Sequence, residues 1–320
     1  MWISPEKYCP NTTMTDDQPL KGQVALVTGA SRGCGRGIAK ELGRAGCIVY
    51  LTALRMEDED PMIQAVREKL PTLESVAKEV EQLGGKANPI YCNHDSSEET
   101  ADVFDRIKRE QNGQLDILIN NAFGGVPYML KYMHTKFFDL PESIYDTLNN
   151  AGLKGHYWCA RHAAKLMVPR GKGFIVNISS FGGITYTFNV AYGVGKAGLD
   201  RMAADIAWEL KEFNIPCISF YPAPNRTELF SKEVGLVKRQ SVIEAYSKAE
   251  SPEFSGKCIV KLATDPNLMK KTGMILNSIE CGIEYNIKDI DGSQPNNDLF
   301  TKEHFGFLDS LNKTRTQMML

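Results

Sequence analysis

Val24-Ala-Leu-Val-Thr-Gly-Ala-Ser-Arg-Gly-Cys-Gly-Arg-Gly-Ile38 reads as a buried strand, a glycine turn and the opening of a helix. Gly29, Gly33 and Gly35 follow the spacing G-x-x-x-G-x-G. Glycine lets the chain turn sharply and lets its backbone approach a ligand closely. The helix N-terminus beyond the turn presents unpaired N–H groups and a partial positive charge. Gly29, Ser31, Gly33 and Gly35 are therefore candidate contacts to the pyrophosphate of a dinucleotide.

Outward from this stretch the same pattern repeats. Short β-rich runs stand at Val24–Thr28, Cys47–Thr52, Asn88–Cys92, Leu115–Asn120, Gly173–Ser179, Pro216–Tyr221 and Met274–Ile279. Between them apolar residues recur at helical spacing, as in Leu199, Met202, Ala203, Ile206 and Leu210, or Val76, Val80 and Leu83. Alternation of strand and helix implies right-handed crossovers and a parallel sheet covered on both faces. The expected fold is α/β: a doubly wound, Rossmann-type parallel sheet in a single domain over 20–285, with an inserted substrate lid at about 224–255. A loose polar arm is expected at 1–19 and a tail without a clear anchor at 286–320.

The 320 residues carry 37 Lys+Arg against 39 Asp+Glu, a net charge of −2 that gives no basic footprint for nucleic acid or an anionic membrane. No apolar run reaches the roughly 18 residues of a membrane span, so no transmembrane segment is expected. The opening Met1-Trp2-Ile3-Ser4-Pro5 lacks a basic segment followed by an apolar stretch, and no secretory leader is expected. Eight scattered cysteines without a C-x-x-C pair read as reduced core residues rather than a disulfide frame or zinc site. The histidines show no paired metal spacing, so no metal is expected. The setting these features imply is intracellular and cytoplasmic, with peripheral attachment to the endoplasmic reticulum left open.

The end of the second strand bears on the choice of dinucleotide. A carboxylate there would hold the adenosine ribose hydroxyls and repel a 2′-phosphate. This strand instead reads Ile48-Val-Tyr-Leu-Thr-Ala-Leu-Arg55, with no acid before Glu57. Arg55 and Arg32 supply two guanidiniums suited to a phosphate, so NADP(H) is the expected cofactor.

Tyr192-Gly-Val-Gly-Lys196 puts a phenol and an ammonium on one helix face, where the cation favours the phenolate. A tyrosine tuned in this way can exchange a proton with a substrate oxygen. Ser180 stands twelve residues earlier, at the end of the apolar run ending Val176-Asn-Ile-Ser179, where parallel strands face a ligand crevice. A second pair, Tyr132 and Lys136, has no such partner and reads as surface.

Taken in order, Thr28-Gly-x-x-x-Gly-x-Gly35, Asn120-Asn-Ala122, Ser180 and Tyr192-x-x-x-Lys196 resemble the short-chain dehydrogenase/reductase family over about 20–285. The resemblance implies NAD(P)-dependent carbonyl or alcohol chemistry in a fold that commonly forms homo-oligomers. It makes Tyr192 the acid/base and Ser180 the substrate-orienting hydroxyl. Lys196 would bind the nicotinamide ribose and tune Tyr192. Asn120 would lie against the adenosine ribose, Asn93 at the position near adenine, and Thr227 at the nicotinamide. Three positions depart from the family pattern. Gly152 falls where its catalytic asparagine is expected, with Asn150 the nearest candidate. Phe123 replaces a glycine after Asn120-Asn-Ala122. Pro222-Ala-Pro-Asn225 replaces a Pro-Gly.

Phe181, Tyr186 and Phe188 flank the catalytic strand end, and suggest an apolar carbonyl substrate. The expected protein is an NADPH-dependent reductase of a ketone or aldehyde, reversibly an alcohol dehydrogenase. The alternative is an NADP(H)-binding scaffold whose catalysis has decayed, motivated by Gly152 and Phe123.

Overall fold

The computed structural model describes residues 18–237, 240–247, 249–295 and 302–319, so nearly all of the 1–19 arm lies outside the described residues. Seven strands form one all-parallel sheet: β1 (Val24–Val27), β2 (Ile48–Ala53), β3 (Lys86–Tyr91), β4 (Ile117–Asn120), β5 (Phe174–Ile178), β6 (Cys217–Tyr221) and β7 (Ile275–Asn277). Their order across the sheet is β3-β2-β1-β4-β5-β6-β7. Each strand lies within one of the β-rich runs or overlaps it. The doubly wound expectation holds, and the strand order reverses between β1 and β4, where such sheets bind ligands.

The helices are α1 (Gly33–Arg44), α2 (Pro61–Gln64), α3 (Leu73–Gln82), α4 (Ser97–Glu110), α5 (Val126–Lys131) and α6 (Ile144–Asn149). They continue with α7 (His156–Met167), α8 (Val190–Leu210), α9 (Gln240–Ser247), α10 (Pro252–Ala263), α11 (Ser278–Glu284) and α12 (Lys302–Met319). The β1 side chains show why both faces must be covered. Ala25 and Val27 enter one apolar core with Ile38, Val76 and Phe254, under α1, α3 and α10. Val24 and Leu26 enter the other with Phe104, Cys159 and Ala203, under α4, α7 and α8. Period-two alternation with both sets apolar leaves no solvated face.

Three features beyond the sheet shape the ligand side. Residues 150–155 form a turn of π-helix between α6 and α7, a wide turn often found beside functional sites. The chain between β6 and α10 is pinched at its base by a parallel bridge from Asn225 to Glu250. Leu229 and Val234 within it pack against Ile63 and Leu70. Finally, the tail is anchored. Leu308 of α12 is 1% exposed, and Asn312 bonds both the N–H and the C=O of Ile275 at 2.8 Å, capping the outer edge of β7. An amphipathic signal too weak to read in the sequence is thus completed by one polar side chain on a strand edge.

Candidate active site

The carboxyl ends of β1, β4, β5 and β6 open into a cavity of about 700 Å³. Its chemistry begins with local structure. Asn189 caps α8 by accepting the Tyr192 N–H on its Oδ1 (2.9 Å), fixing the first turn that carries Tyr192. The chain leaving β5 is extended at Ser180, and Ser180 Oγ lies 2.7 Å from the Tyr192 hydroxyl. One helical turn on, Lys196 Nζ donates to the Ile178 carbonyl at 3.1 Å. Ser180, Tyr192 and Lys196, from separate stretches, all line the cavity. Phe188 holds a left-handed backbone (φ 61°) next to them, a strained conformation for an aromatic residue. Its ring packs edge-on against Tyr192 with centroids 5.2 Å apart.

Burial governs the titration of these groups. It pushes the Tyr192 hydroxyl up to about 12, while the Ser180 hydrogen bond pulls the other way. It brings the Lys196 amine down to about 8, with the Asp200 charge opposing. Without a bound nucleotide, then, desolvation rather than Lys196 sets the phenol, and Tyr192 keeps its proton at neutral pH.

The glycine turn has the geometry of a phosphate cradle. Gly29 adopts φ +65°, and a Cβ on Gly35 would lie 2.3 Å from the Gly29 carbonyl oxygen. Thr28 Oγ1 accepts the N–H groups of Asn121 (2.9 Å) and Ala122 (3.0 Å), tying the ends of β1 and β4 together beneath the turn. The cradle holds an anion supplied by the chain itself. Glu228 Oε2 accepts the Gly33 N–H at 2.8 Å, and Glu228 Oε1 pairs with Arg36 at 2.7 Å. A nicotinamide dinucleotide fits this donor set.

The other expected cofactor contacts divide. Gly29, Ser31, Arg32, Gly33, Asn93 and Thr227 line the cavity. Gly35 shapes the turn from behind. Asn120 does not reach the cavity. It is fully buried, donating to the His156 carbonyl (3.1 Å) and to Asn177 Oδ1 (2.9 Å). The side chain at the rim is Asn121, bonded to the carbonyls of Thr28 and Gly29. Consecutive strand residues face opposite ways, so only one asparagine of the pair can point inward. Arg55 is also outside the cavity lining. It is half-exposed and pairs with Glu99 at 3.4 Å and Asp58 at 3.9 Å. Arg32 remains at the cavity, paired with Glu59 at 2.6 Å. His94, which carried no functional signal in the sequence, lines the floor next to Asn93. It bonds Thr52 at 2.7 Å, and burial brings its imidazole down to about 4.

Residues 23–235 match the family model described as short chain dehydrogenase. The chain is 44% identical over 291 residues to mouse dehydrogenase/reductase SDR family member 1, covering 88% of each protein. It is 43% identical over 280 residues to the human protein of that name, covering 86% of this chain and 85% of the relative. A solved metagenomic short-chain oxidoreductase in complex with NADP superposes with a TM-score of 0.59 at 28% identity, covering 78% of this chain and 93% of that one. The chain belongs to the short-chain dehydrogenase/reductase family. It is an oxidoreductase with the family's fold and a nicotinamide dinucleotide site.

Within this short-chain dehydrogenase/reductase the departures from the family pattern have definite places. Asn150 turns outward to Asp95 (3.1 Å). Its neighbour Asn149, the last residue of α6, is buried and donates to the carbonyls of Tyr145 (3.0 Å) and Ala191 (3.1 Å), joining the end of α6 to the first turn of α8. Phe123 packs edge-on against Tyr192 (5.9 Å between centroids), and its ring lies 5.0 Å from Lys196 Nζ. Behind Lys196 stands Asp200, one turn further along α8. It is buried, accepts the hydroxyls of Ser219 and Tyr221, and is pushed up to about 6 by desolvation. A polar residue four positions after Lys196 was its one sequence signal.

Proposed function

We propose that this oxidoreductase is an NADPH-dependent reductase of apolar ketones or aldehydes, running reversibly as an alcohol dehydrogenase. The observation that carries the reading is the 2.7 Å contact between Ser180 Oγ and the Tyr192 hydroxyl, in a cavity that the glycine cradle also lines. A carbonyl oxygen seated between the two hydroxyls accepts a hydrogen bond from each. The reduced nicotinamide, when bound, supplies the hydride to the carbonyl carbon. Tyr192, protonated at neutral pH, gives its proton to the oxygen as negative charge develops there, and Ser180 Oγ–H steadies that charge. Lys196, with an amine near 8, is largely an ammonium at pH 7 and favours the phenolate that Tyr192 becomes.

Three features support the finer points. The aromatic rings of Phe123, Phe181 and Phe188 around the hydroxyl pair favour an apolar substrate. Arg32 at the cavity favours the phosphate of NADP(H) over the bare ribose of NAD(H). The solved relative holding NADP agrees with that choice. Tyr192→Phe tests the mechanism. It should lower NADPH oxidation with ketones by about 10²–10⁴-fold while leaving NADPH affinity intact, and undiminished turnover would reject it. A lower Km for NADH than for NADPH would reject the cofactor assignment.

A further inference from the structure

Two stretches of chain close a ring around the glycine turn. One is residues 56–70, between β2 and α3, and the other is residues 227–237, after β6. Each is tied to the turn by a carboxylate, and the ties fall on adjacent residues: Glu59 pairs with Arg32 at 2.6 Å, and Glu228 accepts the Gly33 N–H at 2.8 Å. Each also lines the cavity, through Glu59, Asp60 and Ile63 on one side and Thr227, Glu228 and Leu229 on the other. The two stretches then meet. Ile63 and Leu70 pack against Leu229 and Val234, all four buried, and Lys69 Nζ donates to the Val234 carbonyl at 3.4 Å. We propose that residues 56–70 are the moving jaw of a gate over the nucleotide site, latched by this apolar contact, and that a dinucleotide enters and leaves only when the latch opens.

The hydrogen bonding shows which of the two stretches can swing. Among the described residues, every backbone hydrogen bond of residues 56–70 closes within residues 55–70. Asp60 caps α2 by accepting the Met62 N–H at 2.8 Å, and Gln64 Nε2 donates to the Glu59 carbonyl at 2.8 Å, so the stretch is a folded unit of its own. It can swing without breaking a backbone hydrogen bond to the rest of the molecule. The other stretch is pinned at its base, where the Arg226 N–H donates to the Glu250 carbonyl (2.9 Å) and the Glu250 N–H to the Pro224 carbonyl (3.1 Å). Units held by few buried contacts open at low cost, and ligand sites use them for access. The inference rests on the nicotinamide dinucleotide site and is independent of the reaction carried out there.

The test follows NADPH fluorescence in stopped flow with the full-length protein. In the wild type the observed association rate should level off as NADPH is raised, at the rate of latch opening. Leu70→Ala and Val234→Ala thin the latch, and neither residue lines the cavity. Each should raise that plateau and the dissociation rate together by about tenfold, with Kd held within about twofold, because the latch is closed both with and without nucleotide. A wild-type association rate that climbs linearly without a plateau would overturn the proposal, whatever the variants do. So would dissociation that speeds up alone and weakens Kd by the same factor, since Leu70 and Val234 would then support the bound nucleotide rather than gate it. Unchanged rates in both variants would equally reject it. A protein that gates NADPH in this way and reduces no ketone would leave the gate standing and reject the reductase reading.

Discussion

A Cβ on Gly152 would lie 3.0 Å from Cδ2 of the Phe123 ring, so the missing side chain and the bulky one share a single space. Two departures from the family pattern are therefore one packing solution. The ring that fills the space also lies 5.0 Å from the Lys196 ammonium, within cation–π range in a desolvated site.

Coupled energetics follow from that shared space. Gly152→Asn alone should destabilise the fold by about 1–3 kcal/mol through overpacking. Phe123→Gly alone should cost about 1–3 kcal/mol, because the ring is only half-buried at the cavity wall and its loss removes contacts to Tyr192 without opening a closed void. The double variant should fall well short of the sum, because the new side chain enters the vacated volume. Denaturant unfolding of the four proteins measures the coupling, and strict additivity would show that the residues do not share that volume.

The carboxylate of Asp200 raises the proton affinity of Lys196, against the burial that lowers it. Asp200→Asn keeps the shape and the hydrogen-bonding partners Ser219 and Tyr221 but removes the charge. Lys196 should then lose its proton at lower pH, and the alkaline limb of the kcat/KM profile should move down by about one pH unit. A limb that stays in place would separate Asp200 from the tuning of Lys196.

The sheet was legible because buried parallel strands are written as nearly unbroken apolar runs, such as Leu115-Asp-Ile-Leu-Ile119. Ser180, Tyr192 and Lys196 were legible because a strand end and one helix face place them by local geometry. What escaped depends on partners distant in the chain or on side-chain direction. Choosing between Asn120 and Asn121 needs the strand's exact phase. Arg55 is taken up by Glu99, forty-four positions away. Glu228 meets Gly33 across 195 positions of sequence, and nothing near either residue announces the contact. The docking of α12 likewise rests on Asn312 finding Ile275, a pairing that no periodicity in the tail encodes.

Glu228 sits on the cradle that a dinucleotide's phosphates also need. Its carboxylate holds the Gly33 N–H and Arg36, and thereby fastens the segment after β6 to the start of α1. Glu228→Gln should have opposite effects on stability and on binding. The ligand-free Tm should fall because a charge-assisted pair with Arg36 is lost. The Kd for NADP⁺ should drop about threefold to tenfold, because a negative charge no longer faces the phosphates. Thermal unfolding across a range of NADP⁺ concentrations reads both, and weaker binding in the variant would mean that Glu228 supports the nucleotide rather than competing with it.

Lys196 also leaves a mark on stability that does not depend on turnover. Its ordinary value is 10.5, and burial brings it down to about 8 in the folded protein. Between those values the unfolded chain binds the proton and the folded one does not. Stability from this group therefore rises as pH climbs from 8 toward 10.5, and it is lowest below 8, where the ammonium must be held out of water. Other groups act in the opposite sense. The thiols of Cys47, Cys92 and Cys281, each pushed up to about 12 by burial, weaken the fold as pH passes their ordinary value of 9.0. Tyr192, raised to about 12, does the same above pH 10. A single profile mixes these contributions, but the difference between wild type and Lys196→Met cancels those of the thiols. That difference should shift in favour of the wild type by about 1–3 kcal/mol from pH 7.5 to 10. A flat difference in unfolding free energy over that window would mean that Lys196 titrates as a solvated amine and does not carry its charge in a desolvated site.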